Sequence, residues 1–281
     1  MKKVLFLCLA ALPTVLMAQQ PLTNAIVKIK METTTDNSGG GGDGGGPVFQ
    51  MAGQETEVVA YLKDSMRKVV IKNNFMNNIT IYDGRTGVST ILTESMGEKT
   101  GFTQNEAQRL EQRRRTDSIM KARETEESGN GSGGMRIMRV GAAADKVVDI
   151  VYTDEAKTIN NINCKKAVVT TQNNEGVQKK TEVWYTPDYS MPVGVNVGRA
   201  GGSFTGLKGM PVMYEQSNVL NLGNTEMTMT THYEVKSIEI GKTIDDKEFT
   251  IPKGYTIKTW EEYLKDNPDG PGMRRTIRFG N

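Results

Sequence analysis

The sequence predicts an α+β fold that is mostly β, built on antiparallel strands with few helices and flexible insertions. Three observations carry this. Apolar and polar residues alternate with period two in many short runs, turn-forming residues separate those runs at intervals too short for crossover helices, and only one long stretch has helical composition.

The first alternating run is residues 24–31, where Val27, Ile29 and Met31 share one face and Lys28 and Lys30 the other. Polar residues 33–37 read as its end. The glycine-rich stretch 39–46 beyond them has no side chains to bury and much backbone entropy to lose, so it reads as a flexible excursion; Pro47 succeeds it instead of a helix, which argues against a dinucleotide fingerprint. Strand patterns resume at 57–62, 67–71, 78–82 and 88–92, separated by Lys63-Asp64, Asn73-Asn74 and Asp83-Gly84-Arg85. Such short intervals predict a meander of hairpins with one packed face and one wet or ligand-facing one.

From 104 to 127 the composition turns helical and charged, with Arg113, Arg114 and Arg115 among glutamates and no full apolar stripe, which predicts a solvated helix. Residues 104–145 are therefore grouped as an insertion. Strands return at 147–152, 164–171, 182–185, 210–215, 219–222 and 227–240. In the last of these Met227, Met229, Thr231, Tyr233 and Val235 share a face until a shift near Ser237 predicts a bulge. Asn173-Asn174-Glu175-Gly176 reads as a hairpin turn, residues 249–255 as a short last strand stopped by Pro252, and 260–264 as a short helix or turn.

The amino terminus has the pattern of a secretory leader: Lys2 and Lys3, an apolar stretch over 4–15, then Leu16-Met17-Ala18 before Gln19. The apolar run is shorter than the ~20 residues a bilayer core requires, so the reading is a signal over 1–18 and a single β-rich domain over 19–281. Its insertions lie near 37–47 and 104–145. Removing Lys2 and Lys3 takes Lys+Arg from 35 to 33, equal to the 33 Asp+Glu. A neutral mature chain carries no global basic footprint for nucleic acid, and no transmembrane segment is expected in it. Cys164 is then the one remaining cysteine, so no intramolecular disulfide is expected and a small buried hydrophobe is its reading.

The order of several short motifs resembles an exported Gram-negative family of unknown function. They are Lys157-Thr158-Ile159-Asn160-Asn161-Ile162-Asn163-Cys164-Lys165-Lys166-Ala167-Val168-Val169, then Val183-Trp184-Tyr185-Thr186, then residues 204–214, and last Phe249-Thr250-Ile251-Pro252-Lys253-Gly254-Tyr255. The chain is also similar, more distantly, to GLPGLI proteins, whose motif falls at Gly206-Leu207-Lys208-Gly209-Met210-Pro211, with Lys208 where that motif has proline. The resemblance implies a fold similar to the LolA and LolB lipoprotein carriers, a strongly curved antiparallel sheet forming an incomplete barrel whose concave apolar face takes acyl chains. It supplies no catalytic residue.

Little in the residues themselves suggests chemistry. Metal sites need clustered ligands, and one histidine with one mature cysteine makes that set sparse; no metal or cofactor is expected. His232 with Glu234 two residues on is a conceivable base and orienter on a strand's polar face, but no nucleophile elbow accompanies it and a surface histidine is the better reading. Dispersed carboxylate pairs stay open. Of 16 methionines, 14 lie beyond Met1 and Met17, and flexible thioethers fill cores or line adaptable apolar pockets. The expectation is a non-enzymatic exported binding module, periplasmic or outer-membrane-associated, holding a lipid or other apolar ligand with Trp184, Tyr185, Met210, Met213 and Tyr214 at its mouth or lining. The alternative is a cell-envelope structural or interaction protein with a filled core and a protein partner; a hydrolase using His232 is third.

Overall fold

The computed structural model describes residues 20–36, 53–112, 114–115, 118, 146–173, 176–190, 204–222 and 225–267. The stretch read as a leader, the glycine-rich stretch and most of the charged stretch read as an insertion lie outside the described residues. Within them the chain forms β1 (Gln20–Pro21), β2 (Ala25–Asp36), β3 (Gln54–Lys63), β4 (Met66–Lys72), β5 (Met76–Asp83), β6 (Val88–Ser95), β7 (Glu98–Gln104) and helix α1 (106–112). After the insertion come β8 (Lys146–Ile159), β9 (Ile162–Gln172), β10 (Gln178–Thr186), β11 (Tyr189–Ser190), β12 (Met210–Leu222) and β13 (Thr225–Ile240). A 3-10 turn (Asp246–Phe249), β14 (Thr256–Lys258) and helix α2 (Trp260–Asp266) end the described chain.

Twelve strands make one open, curved sheet in the order β14-β7-β6-β5-β4-β3-β2-β13-β12-β10-β9-β8, not closed into a barrel. It is two antiparallel meanders joined where β2 pairs with β13, from Ala25 opposite Ile240 to Asp36 opposite Thr228. The register shifts between Val235 and Ser237, the bulge the sequence predicts. β1 and β11 form a separate parallel pair.

Cross-strand partners place Ala60, Val69, Thr80, Ile91 and Phe102 in one row on one face of β3 to β7. That face, the inner one, buries a large cluster: Val27 and Ile29 of β2, Val58, Ala60 and Leu62 of β3, Val69 of β4, and Ala167, Val169, Val183, Val212, Tyr233 and Val235 from the second meander. The opposite face buries a second cluster, Ile79 and Ile81 of β5, Leu92 of β6, and Ile244 and Phe249 from the segment around the 3-10 turn. Strands β2 to β4 thus pack on both sides: Val69 belongs to the first cluster while its neighbour Val70 packs against the second. Double burial is why Val58-Val59-Ala60 and Val69-Val70-Ile71 read as apolar runs and not as clean alternation. Lys63 donates to the Ile244 carbonyl at 2.9 Å and Lys68 meets Glu248 at 3.0 Å, clamping the 3-10 turn to the outer face.

The structure departs from the sequence reading at the ends of elements. Thr33 to Asp36 continue β2 because Thr231 to Thr228 extend β13 alongside them. β12 runs unbroken from Met210 to Leu222, where two shorter strands were expected. β7 was not expected at all, since Gly101 interrupts its alternation. A Cβ there would lie 2.6 Å from Leu92 Cδ2 and 2.8 Å from the Ile91 carbonyl oxygen, so the strand's close approach requires glycine. The strand expected over 249–255 is absent: Asp245 caps the 3-10 turn by accepting from Lys247 N–H, Phe249 sinks into the second cluster, and pairing resumes only at β14, parallel to β7. Helix α1 begins as the composition suggests, with Asn105 and Gln108 exchanging side-chain to backbone hydrogen bonds at 2.9 Å. Arg109 pairs with Glu106 and Arg115 with Glu111, both exposed.

This packing can be tested at two places. Leu62→Ala in the first cluster and Leu92→Ala in the second should each lower stability by about 2 to 5 kcal/mol. Because β2 to β4 belong to both clusters, each variant should show one urea transition by circular dichroism and by tryptophan fluorescence; two separate transitions would show the cores to be independent. On β13, Glu239 is held by Lys242 at 2.5 Å and by Lys28 of β2 at 3.0 Å, which bring its carboxyl down to about 2. A depressed carboxyl stabilises the fold fully above its unfolded value and loses that contribution as pH falls through the folded one. Glu239→Gln should therefore flatten the fall of the melting temperature between about pH 5 and about pH 2 and leave its value at neutral pH lower than that of the parent chain.

Candidate functional site

The five residues expected to line a site divide between the two faces of the second meander. β10 and β12 run side by side with Val183 opposite Tyr214, Trp184 opposite Met213 and, beyond a register shift, Tyr185 opposite Pro211 and Thr186 opposite Met210. Tyr185, Met210 and Tyr214 are buried in the first cluster. Trp184 and Met213 alternate with those buried neighbours and are half-buried. Over the Trp184 ring lie the Lys157 ammonium, 4.0 Å from the centroid, and Lys166 at 5.8 Å. The structure therefore buries Tyr185, Met210 and Tyr214 together, and leaves Trp184 and Met213, at the alternate strand positions, half-buried and packed against the same cluster.

Around the buried trio the packing is aromatic. Tyr214 stacks on Tyr233 with centroids 4.6 Å apart, Phe204 meets Tyr214 edge-on at 4.9 Å, and Tyr152 of β8 meets Tyr185 edge-on at 5.6 Å. Burial pushes the Tyr185 and Tyr233 phenols upward, so both stay neutral at any physiological pH. Phe204 and Leu207 pack against the cluster ahead of β12, and the Tyr152 hydroxyl ties down their loop by donating to the Gly206 carbonyl at 3.3 Å and accepting from Lys208 N–H at 2.9 Å. Gly209 then turns the chain into β12 at φ +156°.

Beyond Leu62 and Val69 the same inner face continues onto a half-buried strip that sequence reasoning did not single out. Its floor is Thr80 and Tyr82 of β5 with Ser89 and Ile91 of β6. Arg67 of β4 lies over the Tyr82 ring at 5.5 Å. The strip's far wall is α2, where Tyr263 stacks on Phe102 with centroids 3.9 Å apart and Trp260 lies 5.7 Å from the same ring. The signal for it was present as strand alternation in β4 to β6, but nothing local says which face meets a wall.

The remaining chemistry-bearing groups are accounted for by their surroundings. His232 lies with Nδ1 3.3 Å from Glu215 and Nε2 3.7 Å from Glu234. Burial pulls the Glu234 carboxyl up, but hydrogen bonds from Lys236 and Asn160 outweigh it and hold it below the usual carboxylate range. Lys30 likewise joins Glu32 and Glu55, and its hydrogen bond holds Glu32 down. This part of the face is a cross-strand ion network over β12, β13, β2 and β3. Burial pushes the Cys164 thiol up to about 11, so it packs as a hydrophobe without thiolate character. Among the described residues no group of three or more His, Cys, Asp or Glu side chains could hold a metal ion, and no helix is long and apolar enough to cross a membrane.

No protein-family profile matches the chain, so neither the family of unknown function nor the GLPGLI group is supported, and no curated protein sequence matches it. Among solved structures it is similar to PNGF-II in two crystal forms, at 15% and 14% identity with TM-scores of 0.33 and 0.32. Those matches cover 85% of this chain but only 32% and 33% of PNGF-II, so the chain spans about a third of that protein. A domain named for outer membrane lipoprotein sorting, from Vibrio parahaemolyticus, matches at 9% identity and a TM-score of 0.23, over 83% of this chain and 91% of that one. The likeness to a LolA-like domain is thus distant and carries nothing about activity.

The turn into β12 generates a test of this geometry. A Cβ on Gly209 would drive into the Thr186 carbonyl oxygen, and its positive φ is one that side chains rarely adopt. Gly209→Ala should cost about 1 to 3 kcal/mol, and the displaced Met210 and Tyr185 should appear as a changed near-ultraviolet circular dichroism spectrum at unchanged far-ultraviolet signal.

Proposed function

We propose that the chain is a non-enzymatic binding protein of the cell envelope that holds a lipid or other apolar ligand on the inner face of its curved sheet. The observation that carries this reading is the continuity of that face. It runs from the filled aromatic and methionine packing of Tyr185, Met210 and Tyr214, past Leu62 and Val69, onto the half-buried strip of Thr80, Tyr82 and Ile91, where, among the described residues, α2 forms a second wall. An elongated apolar molecule would lie on the strip with its chain against Ile91 and Val69, and Arg67 would stand beside its polar end. Tyr185, Met210 and Tyr214 form the inner end of this path. Trp184 and Met213 belong to it only as support from the other face.

A second reading has its own observation. Tyr185, Met210 and Tyr214 are already buried by the protein itself, with Phe204 and Tyr233 against Tyr214 and Tyr152 against Tyr185, which suits an envelope interaction protein whose sheet is complete without a ligand. Export to the envelope in both readings rests on the leader pattern of residues 1–18.

Native mass spectrometry of protein recovered from the envelope without detergent, followed by solvent extraction, separates the two. The carrier reading expects about one apolar molecule per chain. It further expects Ile91→Asp to abolish retention with a melting temperature close to that of the parent, because Ile91 is only half-buried, and Met213→Asp to leave retention unchanged. A bare chain in every preparation, with Ile91→Asp behaving as the parent, would favour the filled-core reading.

A further inference from the structure

Strand register brings most of the exposed large apolar side chains to one end of the sheet. The β4–β5 turn, the β6–β7 turn, the β9–β10 turn and the first residue of β8 all lie at the end where Asp36 leaves β2. Phe75, Met76, Met96, Val148, Val177 and Val219 stand along this rim, exposed. Among the described residues Ile240 is exposed at the opposite end, opposite Ala25, while Val151 of β8 and Ile257 of β14 are exposed along the two edges of the sheet, and Leu110 and Ile251 are exposed outside the strands.

Two neighbouring tips are the most informative. Met76 pairs with Ser95, so the turn carrying Phe75 lies beside the turn carrying Met96. Asn73 accepts from the N–H groups of both Phe75 and Met76, at 2.9 and 3.0 Å, and so fixes the first tip with Phe75 outward and 51% exposed. Met96 is 93% exposed and sits at φ +52°, ahead of Gly97 at +83°. Every other described non-glycine residue with positive φ is Asn or Asp: Asn24, Asp64, Asn160 and Asn161. Those residues tolerate the left-handed conformation because a short polar side chain can bond locally, and Asn-Gly is the ordinary choice for this turn. Methionine carries a backbone cost there, and at 93% exposure its side chain is almost uncovered by the described residues. Its apolar side chain is useful only to something outside.

We propose that this rim docks on a lipid bilayer surface, with Phe75, Met76 and Met96 entering the interface as wedges. The shape of the rim selects the bilayer over a protein partner. Its apolar groups stand on separate tips with polar turns between them, whereas a stable protein interface needs a contiguous surface of roughly 800 Å² on each side; a fluid membrane closes around isolated tips. Lys72 closes β4 next to the Phe75 turn, across from Glu57 of β3, and stands at the rim to meet lipid phosphate. This inference stands on the rim alone and does not require a ligand on the inner face.

The test is flotation with vesicles of phosphatidylethanolamine and phosphatidylglycerol, using protein expressed as the full chain and recovered after export. The parent should float with vesicles. Phe75→Ser combined with Met96→Asn should bind about tenfold more weakly or worse, since two apolar wedges are lost. Met96→Asn alone should weaken binding while keeping or raising the melting temperature, because asparagine suits the turn, and this removes misfolding as a cause. A parent chain that does not float, or a double variant that floats as well as the parent, overturns the proposal. Loss of a retained apolar molecule in Ile91→Asp with flotation intact would separate the two functions.

Discussion

The ladder between β2 and β13 is the constraint on which the rest of the structure depends. Apart from the short parallel pairing of β14 with β7, every other neighbouring pair in the large sheet joins strands close in the sequence, through hairpins or, between β10 and β12, one longer connection. Only β2 and β13 join the two meanders, and they do so across contacts separated by about 200 residues, such as Lys28 with Glu239 and Thr33 with Thr231. Without that ladder the inner faces of β2 to β4 and β8 to β12 would each be a half-core with no opposite side. The buried pairs Ile29–Val235 and Met31–Tyr233 sit on it, and so does the bulge at Val235 that lets the sheet turn.

A second feature stems from where the cores lie. The first cluster is on the inner face and the second on the outer one, and β2 to β4 are the strands shared by both. On β5 and β6 the outer face holds Ile79, Ile81 and Leu92, leaving the inner residues Thr80, Tyr82 and Ile91 half-covered. The strip proposed to hold a ligand therefore exists because packing changes sides along the sheet. A sheet that kept its core on one face throughout would have filled it.

Much of this was legible in the sequence, and the reason is local. Period-two alternation placed Tyr233 and Val235 on a buried face and His232 and Glu234 on the other, and the shifted phase past Lys236 located the bulge. What was not legible depended on partners distant in the chain. Thr33 to Asp36 look like a terminus until β13 lies beside them, and Gly101 looks like a break until Leu92 and the Ile91 carbonyl are seen to need the space. The same limit applied to the site. Of the five residues expected at a mouth or lining, Tyr185, Met210 and Tyr214 are buried while Trp184 and Met213 alternate with them and stay half-buried, and the strip on β5 and β6 could be recognised only once α2 was placed opposite it.

The β2–β13 ladder also imposes an order in time. A chain emerging from its amino end can form β2 to β7 early, because each strand finds its partner a few residues away. The long edge of β2 then stays unpaired, and one apolar face stays uncovered, until nearly the whole chain has appeared. Until β13 arrives, the half-made sheet presents the edge that any extended chain can join. Its safety in that interval is kinetic: it lasts only as long as the last strand is delayed, so a stall between β7 and β13 is the moment at which this protein is most exposed to pairing with another copy of itself.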